Sequence, residues 1–222
     1  MASPTPAKSR ARYIGAAATV VLVIALIIFF NVVISPTLGG SSPSTSSPTR
    51  EVPSPSIAED REWTGTIQLN DTELDVTLDG HNAPQTVASF LVLGDEGYFD
   101  GISCHRLTTS GIFVLQCGDP TGTGGGGPGY NFGPIENAPA DGVYPAGTLA
   151  MARLGSDASS NGSQFFIVYE ESTIPADSAG GYTVFGEVTG GMDEVERIAE
   201  GGLAADQTAP AIDAVLGAIA FD

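Results

Sequence analysis

An unbroken run of 21 uncharged residues, Ile14–Ile34, divides this 222-residue chain into parts that must fold in different surroundings. At about 1.5 Å of rise per residue, a helix of that length matches a hydrocarbon core of roughly 30 Å. A cleaved signal peptide is the competing reading, but its apolar core is usually about 7–15 residues and ends at a small-residue cleavage site. Here the run is longer, Ser35-Pro36-Thr37 is a poor cleavage site, and no cysteine follows for lipid attachment. Lys8, Arg10 and Arg12 precede the run, and the next basic residue is Arg50. The positive-inside rule therefore predicts a cytoplasmic segment at 1–13, a transmembrane anchor at 14–34 and export of everything beyond it. The expected location is the cell membrane, crossed once, with the C-terminal part extracytoplasmic.

Ser35–Glu62 is rich in Ser, Thr and Pro, with Pro36, Pro43, Pro48, Pro53 and Pro55 among them. Such a composition buries too little apolar surface to offset chain entropy, and it predicts a disordered linker over 35–62. The remaining 160 residues, 63–222, are long enough to bury close to 70% of their unfolded surface as one domain. They hold 22 acidic residues against Arg106, Arg153 and Arg197, and no lysine. That balance argues against nucleic acid as a partner, because phosphate binding needs clustered cations. With His81 and His105 as the two histidines of the chain, a multi-histidine metal site is excluded, and no cofactor is expected.

Strand signals dominate this domain. Thr64–Leu69 and Glu73–Leu78 alternate apolar and polar residues around Asn70-Asp71, a turn pair. A helix is predicted from Pro84 to about Leu93 and a shorter one over Met192–Ala199. Further strands are expected near Cys104–Thr108, Phe113–Gly118, Thr148–Ala152, Gln164–Val168, Val184–Val188 and Ile212–Phe221. Many short strands with two helices point to a mainly β, closed or nearly closed antiparallel barrel.

Several chemistries fall away on local grounds. Gly122–Gly127 fits a dinucleotide pattern, but Pro128 and Pro134 follow it, so no helix N-terminus is available for pyrophosphate. Cys104, His105 and Cys117 are too few for tetrahedral zinc, and neighbouring strand residues point to opposite faces. No G-x-S-x-G elbow exists for a serine hydrolase. What remains is the series Cys104-His105-Arg106-Leu107, Ile112–Asp119, Gly147–Ala152, Asn161–Ile167 and Val184–Val188. Its phenylalanines read equally well as core, but an arginine inside a strand of so acidic a domain calls for a specific partner.

In those blocks, above all H-R-…-Q-x-G-D and N-G-S-Q-F-F-I, the sequence resembles the cyclophilin family of peptidyl-prolyl cis-trans isomerases, over essentially all of Thr64–Phe221. The resemblance implies an eight-stranded antiparallel barrel capped by two helices. It implies that Arg106, Phe113 and Gln116 are catalytic, and that Val114, Ala152, Arg153, Gln164, Phe166 and Tyr182 bind substrate. The expected partners are proline-containing polypeptides. The alternative is a non-catalytic module of the same fold that binds proline-containing segments of a partner. Departures from the family pattern are plain: two extra residues between Arg106 and Phe113, Arg153 where asparagine is usual, and Tyr182 where histidine is usual. Thr173-Ile174-Pro175 stands where a cyclosporin-binding tryptophan is common, which implies weak cyclosporin binding.

Rotation about an X–Pro bond requires loss of amide resonance, a barrier of roughly 18–20 kcal/mol, and needs no nucleophile or metal. One permanently charged donor near the prolyl nitrogen and apolar walls around the ring suffice. Export also bears on Cys104 and Cys117. An even cysteine count in an oxidising compartment points to a disulfide between them, with two buried thiols as the alternative. Strand alternation opposes the bridge, because Cys104 shares the face of Arg106 while Cys117 lies opposite Gln116.

Overall fold

The structure, a computed structural model, describes residues 50–222. The apolar run Ile14–Ile34, the segment before it and most of the expected linker lie outside the described residues. Among the described residues no helix is long and apolar enough to cross a membrane.

β1 (Glu62–Leu69) and β2 (Thr72–Asp79) form a hairpin, in register from Glu62 opposite Asp79 to Leu69 opposite Thr72. Asn70 turns it with a φ of 54°, a left-handed value that Asn tolerates. Alternation decides its faces: Leu74, Val76 and Leu78 are buried, whereas Glu73 and Asp75 are exposed. The other strands of the main sheet are β3 (Arg106–Ser110), β4 (Ile112–Cys117), β6 (Thr148–Met151), β7 (Phe165–Glu170), β9 (Val184–Gly190) and β10 (Leu216–Phe221). They are antiparallel throughout, in the order β10-β1-β2-β9-β6-β7-β4-β3. β5 (Val143–Tyr144) and β8 (Ser172–Thr173) form a separate two-stranded sheet that the strand patterns did not reveal.

The eight-stranded sheet curls until its edges meet. The residues just before β3 pair with those just before β10. The contacts are an antiparallel bridge of Ser103 with Val215 and bonds from Cys104 N to Ala214 O and from Leu216 N to Ile102 O, at 2.8 and 2.9 Å. The closing strand expected over Ile212–Phe221 is therefore shorter than its apolar pattern. Its first residues serve the seam, and the ladder with β1 begins at Leu216.

α1 (Pro84–Asp95) packs into this curl and buries eight of its twelve residues, Thr86–Leu91, Leu93 and Gly94. Phe90 sits in an aromatic cluster, its ring 5.1 Å from Phe99, 5.3 Å from Phe165 and 5.1 Å from Phe185. Burying one such ring contributes about 1.5–3 kcal/mol. Ala83 offers the helix no side-chain cap, and Glu136 supplies one from a distant loop. Its carboxylate accepts from Gln85 N at 3.0 Å and from Thr86 N and Oγ1 at 2.9 and 2.8 Å, where the helix dipole favours negative charge. α2 (Met192–Glu200) carries a Glu194–Arg197 pair at 2.7 Å.

The boundary of the linker needs correction. Residues 50–61, assigned to the disordered segment by composition, pack against the domain. Ser54 caps a 3-10 turn at Pro55–Ala58, and Ala58 is wholly buried. Gln85 Nε2 donates to Pro53 O at 2.9 Å, Trp63 Nε1 donates to Ala58 O at 2.9 Å, and Arg61 stacks over the Trp63 indole at 3.5 Å. Arg50 pairs with Glu96 at 2.7 Å. Averaging over Ser35–Glu62 concealed the apolar pair Ile57-Ala58 at its end.

Candidate active site

Arg106 opens β3 and stands directly across the ladder from Gln116 on β4. Its Nη1 donates to Gln116 Oε1 at 3.1 Å. The other end of that amide, Nε2, donates to Gln164 Oε1 at 2.9 Å. Gln164 Nε2 in turn donates to the carbonyls of Gly124 and Gly126 at 3.0 and 2.9 Å. The guanidinium is thus oriented by a relay of two amides that ends on the Gly-rich loop.

That loop is itself tethered. Asp119, 1% exposed, accepts from Thr121 N and Oγ1 at 2.7 and 2.8 Å and from Gly124 N at 2.6 Å. Burial alone would raise its pKa, but these bonds and one from the Gly126 backbone outweigh it and hold the carboxyl at about 2. Gly118, between Cys117 and Asp119, is in the left-handed region at a φ of 85°, and a Cβ there would collide with the Ser163 carbonyl. Ser163 Oγ donates to Gly118 O at 2.7 Å, so β4 and the segment carrying Gln164 are stitched where the amides meet.

Beside Arg106 lies a cavity of about 170 Å³ lined by Ile112, Val114, Gln116, Ala152, Arg153, Phe166, Ile174 and Tyr182. It is smaller than the roughly 300–1,000 Å³ that encloses a drug-sized ligand, and it suits one small apolar group. Phe166 is its floor, in register with Gln116 on one side and Ala150 on the other. The Tyr182 ring stands edge-on to Phe166 at 5.7 Å. A second depression of about 370 Å³ shares Gln116, Ala152 and Arg153 and continues past Gln164 along the Gly-rich loop. The two share these residues and together form a continuous groove.

The two arginines of the groove differ in what they can offer a ligand. Arginine has five N–H donors. Arg153 engages all of them within the protein: Nε with Gly181 O at 3.0 Å, Nη1 with Leu154 O and Asp177 Oδ2 at 3.2 and 3.1 Å, and Nη2 with Asp177 Oδ1 and Gly180 O at 3.0 and 2.7 Å. Its side chain is 1% exposed. The guanidinium, with bonds from Ser156 N and Ala179 N, holds the Asp177 carboxyl well below the usual carboxylate range. Arg106 makes one side-chain bond among the described residues, to Gln116. His105 adds no second cation, since burial pushes its pKa down and keeps the ring neutral at neutral pH. Arg106 is therefore the charged donor available to a ligand.

Most expected site residues converge here: Arg106, Gln116, Val114, Ala152, Arg153, Phe166 and Tyr182 line the cavity, and Gln164 lines its extension. Phe113 does not. It falls on the other face of β4, where its ring meets Tyr169 edge-on at 5.9 Å. Side chains alternate along a strand, so with Gln116 and Val114 facing the cavity the next wall residue is Ile112. Counting back from Gln116 in steps of two, through Val114, would have found Ile112 in the sequence. Ile174, singled out in the sequence only as part of the segment where a cyclosporin-binding tryptophan is common, enters from the segment after β8 at 9% exposure.

Cys104 and Cys117 are bonded as a disulfide with their Cα atoms 4.0 Å apart. The alternation that opposed this bridge stops at Arg106, where β3 begins. Cys104 lies in the seam with Ala214, and both cysteines, at 3% and 0% exposure, enter the same core.

The family described as cyclophilin type peptidyl-prolyl cis-trans isomerase/CLD matches residues 65–216. A probable peptidyl-prolyl cis-trans isomerase B of Mycobacterium tuberculosis is 40% identical over 169 residues, covering 69% of this chain and 52% of that protein. The chain thus spans about half the length of the mycobacterial relatives it matches. Peptidyl-prolyl cis-trans isomerase B of Bacillus subtilis is 41% identical over 140 residues, 62% of this chain and 92% of that protein. A crystal structure of a Cryptosporidium parvum cyclophilin type peptidyl-prolyl cis-trans isomerase is similar with a TM-score of 0.62 at 29% identity, over 73% of this chain and 98% of that one. A crystal structure of the same Cryptosporidium protein in the presence of the dipeptide Ala-Pro is similar with a TM-score of 0.60.

Proposed function

The chain belongs to the cyclophilin-type peptidyl-prolyl cis-trans isomerase family, and we propose that it accelerates rotation about X–Pro bonds in exported proteins while tethered to a membrane. The observation that carries the reading is a guanidinium with unengaged donors, Arg106, held by Gln116 in the lining of a small cavity whose other walls include Ile112, Val114, Phe166 and Ile174. The prolyl ring enters between Val114, Ile112 and Phe166. The flanking backbone lies along the groove and bonds to Gln116.

Catalysis here is differential binding of the twisted amide. As resonance is lost the prolyl nitrogen becomes pyramidal and gains a lone pair. An Arg106 N–H donates to that lone pair, which the planar amide does not present. The Gln116–Gln164 relay keeps the guanidinium in place beforehand, so little reorganisation is required as the bond turns. No proton is transferred and no covalent bond is made. Weak cyclosporin binding is part of the proposal, supported by an aliphatic Ile174 at the cavity wall.

Membrane attachment rests on the 21-residue apolar run and the basic residues before it. Fractionation should recover the full-length chain in the membrane pellet, and protease added outside the cell should cut between Ser35 and Thr49. Release of a shortened chain without protease would sink the tether.

The enzymatic reading is tested by cis/trans exchange of a short proline-containing peptide. Arg106→Ala should lower kcat/KM by about 10²-fold or more, mainly through kcat, with the melting temperature nearly unchanged. A folded variant with near-full activity defeats the mechanism. Binding without catalysis by the wild-type chain would instead support the non-catalytic module.

A further inference from the structure

Arg153 and Asp177 do no chemistry in the mechanism above, yet they are the most heavily bonded ion pair of the groove. The fork of Arg153 reaches both carboxylate oxygens of Asp177 and the successive carbonyls of Gly180 and Gly181. Asp177 also accepts from Ser156 N at 3.0 Å and Ala179 N at 2.8 Å, so one carboxylate joins the loop after β6 to the loop before β9. The backbone of Asp177 and Gly180 closes on itself in a tight bridge. Two residues beyond it comes Tyr182, whose ring faces the Arg153 guanidinium at 4.6 Å and packs on Phe166. Tyr144 Oη accepts from Tyr182 N at 2.9 Å.

We propose that the Arg153–Asp177 pair is a clamp that positions Tyr182, and with it one wall of the prolyl cavity, without touching substrate. This rests on the isomerase reading and deepens it. Arg153 has no N–H left for a ligand, so its effect passes through the loop it holds. The fork is essential: a lysine would keep the charge but could not span two carboxylate oxygens and two carbonyls at once. A wall that grips the ring alike in its planar and twisted states changes KM and leaves kcat alone.

The test compares kcat and KM for a proline-containing peptide in the wild-type chain and in Arg153→Gln, Arg153→Lys, Asp177→Asn and the Gln/Asn double variant. Arg153→Gln should raise KM by about 10-fold with kcat within about twofold, Arg153→Lys should fail to rescue it, and the double variant should be no worse than the single ones. If Arg153→Gln does not fold, Asp177→Asn carries the same expectation. A lowered melting temperature with KM unmoved would overturn the clamp, as would additive effects or full rescue by lysine. A fall in kcat at constant KM would make Arg153 a catalytic residue and also overturn it. A wild-type chain without isomerase activity would overturn the underlying reading instead.

Discussion

Phe113 meets Tyr169 edge-on, ring centroids 5.9 Å apart, on the face of β4 turned away from Arg106. Its neighbour Ile112 faces the cavity with Val114 and Gln116. The wall of the cavity along β4 is therefore aliphatic up to the amide of Gln116, and its aromatic part comes from Phe166 and Tyr182.

That relationship separates two substitutions. Ile112→Ala should raise KM for a proline-containing peptide several-fold at little cost in stability, since Ile112 is only partly buried. Phe113→Ala should leave KM within about twofold and lower stability by about 1 kcal/mol through the lost contact with Tyr169. Kinetics and urea unfolding of the two variants decide it. The reverse pattern would return Phe113 to the site.

Asp119 makes the Gly-rich loop acid-sensitive. Its folded pKa of about 2 lies below the ordinary value of 3.8, so the unfolded chain binds the proton more readily. Stability from this group is complete above about pH 4 and is lost as pH falls from there to about 2, on the order of 2 kcal/mol in all. Asp119→Asn should lack that contribution at pH 7 and show a flatter stability profile between pH 4 and 2 than the wild type. Parallel profiles would contradict the assignment.

A chain beginning at Trp63 should fold but be less stable than one beginning at Arg50. It loses the buried Ala58, the bond from Trp63 Nε1 and the Arg61 stack. The loss should be roughly 2–4 kcal/mol in urea unfolding, with KM unaffected because these residues lie outside the groove. Equal stability would mean that residues 50–62 add nothing.

Ile174→Trp should strengthen cyclosporin inhibition, because residue 174 lines the cavity next to Tyr182 and an aromatic there enlarges the contact face. Inhibition of the wild-type chain as strong as that of tryptophan-bearing family members would contradict the weak binding expected here.

How much of this was legible beforehand follows from the range of each interaction. Alternation and turn residues are local, so the β1–β2 hairpin with Asn70-Asp71, the start of α1 at Pro84 and the extent of α2 were readable to within a residue or two. Arg106, Gln116, Gln164 and Phe166 were readable because their blocks are contiguous and specific. The two residues added between Arg106 and Phe113 displaced the alignment, and counting by strand alternation back from Gln116, rather than by block position, returns Ile112 to the cavity.

The sequence by itself determined the strands of the main sheet, the scarcity of cations in the domain and the aliphatic and aromatic residues around Arg106, because period, charge and hydropathy are properties of neighbours along a chain. Tertiary structure alone decided the rest. Glu136 caps a helix about 50 residues away, Cys104, in the seam before β3, reaches Cys117, and both carboxylate oxygens of Asp177 engage the Arg153 fork. Those outcomes depend on directional bonds of about 3 Å between distant segments. Such geometry exists only once the curled sheet has brought the segments together.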